Sequence, residues 1–196
     1  MVYHDAAKNN PLFLSPSGAS LFAALLQRDT IKTITLTQPW ATLVALGKKR
    51  IETRSWPTTY RGPLAIHAAK GFPEQAQELC RQEPFWSALK TIASDDYYGD
   101  PYDLRWPLHQ QLPRGHIIAV GLLEEVQRIF SNFPVEEPER SFGNYTKGRY
   151  AWTFSTIYQL ERPVPARGSL GLWNWQPPES FWREVQFQLE KERAAQ

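Results

Sequence analysis

Sulfur is nearly missing from this chain of 196 residues, which has one cysteine, Cys80, and one methionine. A lone thiol makes no internal disulfide, which fits a reducing compartment. No run of about 18 apolar residues is present, so no membrane-spanning helix is expected. Leu21 to Leu26 is too short an apolar stretch for a secretory signal and follows a polar, proline-bearing lead. These absences predict a soluble cytoplasmic protein that does not associate with membranes. Metal chemistry also lacks its signs. His4, His67, His109 and His116 are scattered, with no HxxxH or CxxC spacing. Asp95, Asp96, Asp100 and Asp103 lack the glycine and the distal glutamate of a calcium loop. The Gly-Lys-Lys-Arg run at 47–50 has neither the spacing nor the hydroxyl of a phosphate-cradling loop. No metal and no other cofactor is expected.

What is present is enough apolar residue for one folded core: 42% of the chain is hydrophobic and 21% charged. The small net charge of +2 conceals a segregation. Residues 1–30 sum to zero, 31–70 to +6, 71–139 to −7, 140–170 to +4 and 171–196 to −1. Two basic segments flank an acidic middle, and a focused positive region favours anionic ligands such as phosphates. In the first basic segment Lys32, Lys48, Lys49, Arg50, Arg54, Arg61 and Lys70 surround a single acid, Glu52.

The residue pattern places these groups on elements. Residues 1–30 read as an N-terminal arm with a possible short helix that Ser17 would cap. Ile31–Leu36 is a β-branched strand. Thr37 is a candidate N-cap and Pro39 a first-turn residue of a helix over Trp40–Leu46, closed by Gly47. Alternation from Arg50 to Trp56 puts Arg50, Glu52, Arg54 and Trp56 on one face of a strand and Ile51, Thr53 and Ser55 on the other. A strand follows over 63–69, with His67 between two alanines, then helix over 73–92 and a long acidic loop over 93–115. Strands are expected at 117–126, continuing to Phe130 past a bulge near Glu124 and Glu125, and at 150–158. Residues 131–148 read as loop, Arg167 to Trp173 as a glycine-punctuated turn, and 178–194 as a terminal helix. The expected fold is α+β, a small and mostly antiparallel β-barrel with flanking helices.

The segments QPWA (38–41), GKKRIETRSW (47–56), RGPLAIHAAK (61–70), RYAWTF (149–154) and RGSLGLW (167–173) occur in the order seen in the ASCH domain, and the chain resembles that family. Its signature, Gly-x-Lys-x-x-Glu-x-Arg, is complete here as Gly47, Lys49, Glu52 and Arg54. QPWA before the signature and RSW after it resemble the cointegrator-like branch. The resemblance spans about residues 31–176 and implies a PUA-like barrel over 31–178, with an acidic insertion at about 73–115 and a separate helix over 179–196. It also implies binding of RNA, another nucleic acid or a nucleotide in a basic cleft beside the signature. Lys49 and Arg54 would meet phosphate or a base edge, and Glu52 would hold their geometry or accept from a base amino group.

The residue types are compatible with that role. Arg54 carries a rigid fork suited to phosphate or guanine. Trp40, Trp56 and Trp152 are candidate stacking surfaces. Gln38, Ser55, His67, Lys70 and Arg149 complete the expected binding set. Two other classes remain open. The first is a metal-independent hydrolase of RNA or a modified nucleoside, with Lys49, Glu52 and His67 as catalytic groups. Some relatives are amidohydrolases, but their nucleophilic threonine would fall at Glu52 here, so the expectation leans against an enzyme. The second is a protein-interaction adaptor in transcription or translation regulation, using the acidic region or the C-terminal helix.

Overall fold

In a computed structural model of the chain, residues 18–92 and 108–194 are described. The N-terminal part of the arm, including Ser17, and the acidic run Asp95, Asp96, Asp100 and Asp103 lie outside them. The elements are α1 (Gly18–Leu25), β1 (Ile31–Leu36), α2 (Trp40–Ala45), β2 (Ile51–Arg54), β3 (Gly62–Ala68), α3 (Glu74–Leu79), α4 (Phe85–Leu89), α5 (Leu108–Gln111), β4 (His116–Arg128), β5 (Tyr150–Pro165), β6 (Leu172–Trp175) and α6 (Glu179–Ala194). Short 3-10 turns cover Lys90–Ile92 and Glu139–Phe142.

The six strands form one sheet in the order β2-β5-β4-β3-β1-β6. The pair β1–β3 is parallel and the other four pairings are antiparallel. The expected closed barrel is thus corrected to an open, mixed α+β sheet. Its parallel pair arises because α2 and β2 intervene between β1 and β3, and that crossover returns the chain in the same direction.

Although its ends do not pair, the sheet is strongly curled. In a flat sheet β1 and β2, four places apart, would be separated by roughly 19 Å, further than any arginine reaches. Yet the Arg54 guanidinium on β2 donates from Nη2 to the Thr35 carbonyl on β1 at 3.0 Å. A side chain, rather than a backbone ladder, spans the seam. The curl follows from irregular pairing along the two longest strands: the β4–β5 register shifts between Ile117 and Ala119, Gly121 and Leu123, and Leu123 and Glu125. Each bulge increases local twist and bends the strand.

Alternation then sorts the side chains. Ile34, Leu36, Leu64, Ile66, Ala68, Trp152 and Phe154 face the inside of the curl, where Ala41 and Val44 of α2 plug it. Ile31, Ala65, Ile117 and Val120 face outward and are covered by Leu21 and Leu25 of α1 and by Phe181, Val185 and Leu189 of α6. The apolar face of the C-terminal helix is therefore packed on the sheet. A third cluster joins Leu43 of α2 to Cys80, Phe85, Leu89, Leu108, Leu112 and Phe142. Residue 47 does end the α2 turn, with Gly47 at φ +67°. Thr37 is not the cap expected: α2 has no side-chain cap, and the Thr37 carbonyl accepts from the Ala41 amide at 3.2 Å. The Gln38 side chain instead accepts from the Thr42 amide at 3.1 Å.

Candidate functional site

The signature begins where α2 stops. The left-handed turn at Gly47 reverses the chain, and the Leu43 carbonyl accepts from the amides of both Lys48 and Lys49. That turn drives Lys49 inward. Only 1% of it is exposed, and its ammonium donates to the Ile51 carbonyl. Two carboxylates stand near Nζ: Glu52 Oε2 at 3.9 Å and Glu139 Oε1 at 3.6 Å. Arg54 Nε lies 3.1 Å from Glu52 Oε1. Glu139 also accepts from the Arg50 amide (2.6 Å), the Ile51 amide (3.3 Å) and the Tyr145 hydroxyl (2.9 Å). Two cations and two anions thus form a neutral, largely enclosed cluster that ties β2 to the turn at 139–142. Glu139 was not among the residues expected from sequence. It sits in a proline-flanked acidic stretch that reads as loop, and only the fold brings it to β2.

The other expected residues divide into three groups. Gln38 is fully buried with both amide ends occupied, since Nε2 donates to the Pro113 carbonyl at 2.7 Å. Arg149 donates to the Thr53 carbonyl at 2.9 Å and braces β2 from the start of β5. Trp56 is half-buried, edge-on to Trp152 at 4.7 Å, and Ser55 is exposed. Trp40 packs edge-on to Phe85 at 6.2 Å and shares with Glu52 the wall of a cavity of about 340 Å³. His67 and Lys70 belong elsewhere. Glu52 pairs in register with Trp152, which faces inside the curl, whereas His67 pairs with Thr35 and Ile117 on the outer face. The three expected catalytic groups therefore do not converge: Lys49 and Glu52 adjoin, and His67 lies on the opposite side of the sheet.

That opposite side holds a cavity of about 860 Å³. His67 and Thr35 form its floor, and the segment 165–170 forms a wall. Its charged lining consists of Lys70, Arg114 and Arg167, all exposed, with no carboxylate among them. Thr35 links the two regions. Its carbonyl holds Arg54, while its hydroxyl donates to the Ser169 carbonyl at 3.0 Å and accepts from Trp173 Nε1 at 3.2 Å. The signature is thereby connected through Thr35 to the wall of the cationic cavity. Arg114 and Arg167 carried no sequence signal beyond the adjacent glycine of each, which reads as a turn.

His67 is 2% exposed, and its Nε2 lies 3.1 Å from the Ala166 carbonyl. A carbonyl only accepts, so Nε2 carries the hydrogen and Nδ1 of the neutral ring keeps a lone pair. Burial pushes the His67 pKa below the ordinary value; the Ala166 carbonyl opposes this and the nearby His116 adds to it. His109 is lowered too, by burial and then by Arg81 and Arg114, with Glu78 opposing. Both groups bind protons more weakly folded than unfolded, where imidazole titrates at about 6.5. The stability they contribute is thus present above about pH 6.5 and is lost as pH falls through the folded values. The His67 ring should titrate below 6.5 by NMR, with the urea midpoint declining between pH 7.5 and 5.5. A ring that titrates at or above 6.5 contradicts this. Cys80 offers no reactive thiol, because burial pushes its pKa up to about 12.

Three comparisons bear on the chain. It is 50% identical over 44 residues to activating signal cointegrator 1 of Homo sapiens, a match covering 21% of this chain and 8% of that protein. The crystal structure of ASCH from Zymomonas mobilis aligns over 82% of this chain and 96% of its own, at 13% identity and a TM-score of 0.41. A point variant of that protein aligns over 84% and 98%, at 14% identity and a TM-score of 0.39. The family pattern of the ASCH domain matches residues 34–162, which take in the signature, its buried charge cluster and the strands that carry them. The chain belongs to the ASCH domain family.

Proposed function

We propose that this protein is an RNA-binding module that holds phosphate at the mouth of the cavity over His67. One observation carries the reading: the charged lining of that cavity is Lys70, Arg114 and Arg167 alone. Three cations without a carboxylate partner in the lining make a local positive field on a chain of net charge +2. The signature residues then act as scaffold rather than contact. Lys49 is enclosed, and Arg54 secures Thr35, which in turn holds the 165–170 wall. Membership of the ASCH family supports the same ligand class.

Phosphate contacts make affinity depend on salt. Three of them on a single strand predict that log K falls against log salt with a slope of about −2. In the Lys70→Ala/Arg114→Ala variant the slope should shrink to about −0.7 and binding of a short single-stranded RNA should weaken sharply. Arg128→Ala, on the exposed end of β4, should leave both unchanged. Fluorescence anisotropy with a labelled ten-nucleotide RNA between 50 and 300 mM salt (roughly the range in which counterion release is visible) gives both quantities. Salt-independent binding, or equal loss in the Arg128 variant, would count against this reading.

A further inference from the structure

Arg114 stands on a ridge between two recesses. On one side is the cationic cavity. On the other is a recess of about 390 Å³ lined by Phe72, Gln77, His109, Gln110 and Arg114 itself. Lys70 lines the first and Phe72, two residues on, lines the second. Hydrogen bonds fix the ridge on both flanks. The buried Gln38 amide donates to the Pro113 carbonyl at 2.7 Å. The Gly115 amide donates to the Ala68 carbonyl at 2.8 Å, and the Gly115 carbonyl accepts from the Ala166 amide at 3.0 Å. His116 Nδ1 donates to the Arg114 carbonyl at 2.6 Å. The Arg114 backbone is thus held, while its exposed guanidinium makes no hydrogen bond or ion pair among the described residues. A held arginine with an unengaged fork, shared by two recesses, is placed to grip one phosphate between two neighbouring groups of a ligand.

The second recess differs from the first in kind, since it offers rings and amides rather than a set of cations. Phe72 and His109 meet edge to face, with centroids 6.4 Å apart and 69° between their planes. Phe72 is half-buried against the third core cluster, and its remaining surface lines the recess. Gln77 Nε2 is committed to the Phe72 carbonyl at 2.8 Å, which leaves its Oε1 as an acceptor. Gln110 is exposed and supplies both a donor and an acceptor. An unstacked base needs such fittings, a ring to lie against and amides to bond its edge. Phosphate belongs at the divide, with Arg114, and not inside.

We propose that an RNA strand crosses Arg114 with a phosphodiester on its guanidinium and one nucleotide over the 165–170 wall. The base of the adjoining nucleotide enters the Phe72–His109 recess, with Gln77 and Gln110 at its edge. This rests on the RNA-binding reading and adds to it a second subsite that reads a base.

Affinities are measured for a 5′-phosphorylated dinucleotide, its two singly abasic forms and the ten-nucleotide RNA. The intact dinucleotide should bind about tenfold tighter than at least one abasic form, within what one stacked base contributes. Phe72→Leu, which keeps an apolar side chain, should reduce that difference to about threefold or less. The weakened abasic form has no base to place on Phe72, so it should bind both proteins alike. Gln110→Ala, at an exposed position, should also reduce the difference, and it serves where the leucine variant does not fold. A difference that survives both variants overturns the inference, as does a Phe72→Leu protein that loses intact and abasic dinucleotides equally. Ten-nucleotide RNA bound with salt dependence, while neither abasic form is weakened, overturns this inference and leaves the RNA reading standing. No binding of the ten-nucleotide RNA overturns both.

Discussion

Lys49→Met should lower the unfolding free energy by about 3 kcal/mol, although it removes no apolar contact. The reasoning is a charge count. Lys49 and Arg54 balance Glu52 and Glu139 in a cluster where Lys49 is 1% exposed and the two carboxylates 12% and 18%. Methionine fills the volume but leaves the cluster at −1 and the Ile51 carbonyl without the ammonium it accepts from. Breaking an enclosed ion pair from one side leaves an uncompensated charge, which costs far more than the pair contributes when whole. A second substitution isolates this cause. Glu139→Gln restores neutrality, so the Lys49→Met/Glu139→Gln protein should be more stable than Lys49→Met alone, with a coupling of about 1 kcal/mol or more. Urea unfolding of the four proteins at pH 7.5 completes the cycle. Additive effects would show that Lys49 acts through packing. The alternative view, that the signature lysine is a ligand contact, predicts normal stability and lost RNA binding.

That cluster also marks the limit of what the chain disclosed before folding. The local signals held well. β-Branched residues at 31–36 and alternation at 51–54 yield β1 and β2, and Gly47 lies in the left-handed conformation its position demanded. The signature residues were legible because they are close in sequence and share one strand face. Glu139 and Arg114 were not, since their relation to the site is set by pairing between strands far apart in the chain. Hydrophobic period fixes which face a residue takes but says nothing of which strand lies beside it. The same limit explains the barrel. Five or six strands were countable, but whether the ends of the sheet meet depends on accumulated bulges in β4 and β5, and those leave no compositional trace. His67 was singled out with the correct neighbours, Ala65 beside it on the same outer face, yet it was grouped with Lys49 and Glu52. Only the register of β3 against β1 and β4 separates the two faces.

Trp152→Ala should be the most damaging single substitution in the core, at about 4 kcal/mol. Trp152 is fully buried on β5, directly opposite Glu52 of β2 and Val126 of β4. Its ring takes the edge of Trp56 at 4.7 Å, so it supports the signature strand from inside the curl. Alanine opens a void that the sheet, bonded on both sides of β5, cannot collapse into, and both transfer and cavity terms apply. Trp152→Phe separates volume from shape. Phenylalanine keeps most of the ring, and it also removes an indole N–H that is buried without a hydrogen-bond partner. Its cost should therefore be about 1 kcal/mol, less than lost area alone implies. The damage from alanine should also reach function, because a displaced β2 carries Arg54 away from the Thr35 carbonyl and loosens the 165–170 wall. At a temperature where Trp152→Ala is still folded, RNA affinity should drop together with stability. In Trp152→Phe the affinity should stay near that of the unaltered protein. Equal stability losses in the two variants would mean that the indole N–H has a partner, and an unchanged affinity in folded Trp152→Ala would sever the proposed link from the signature strand to the cavity.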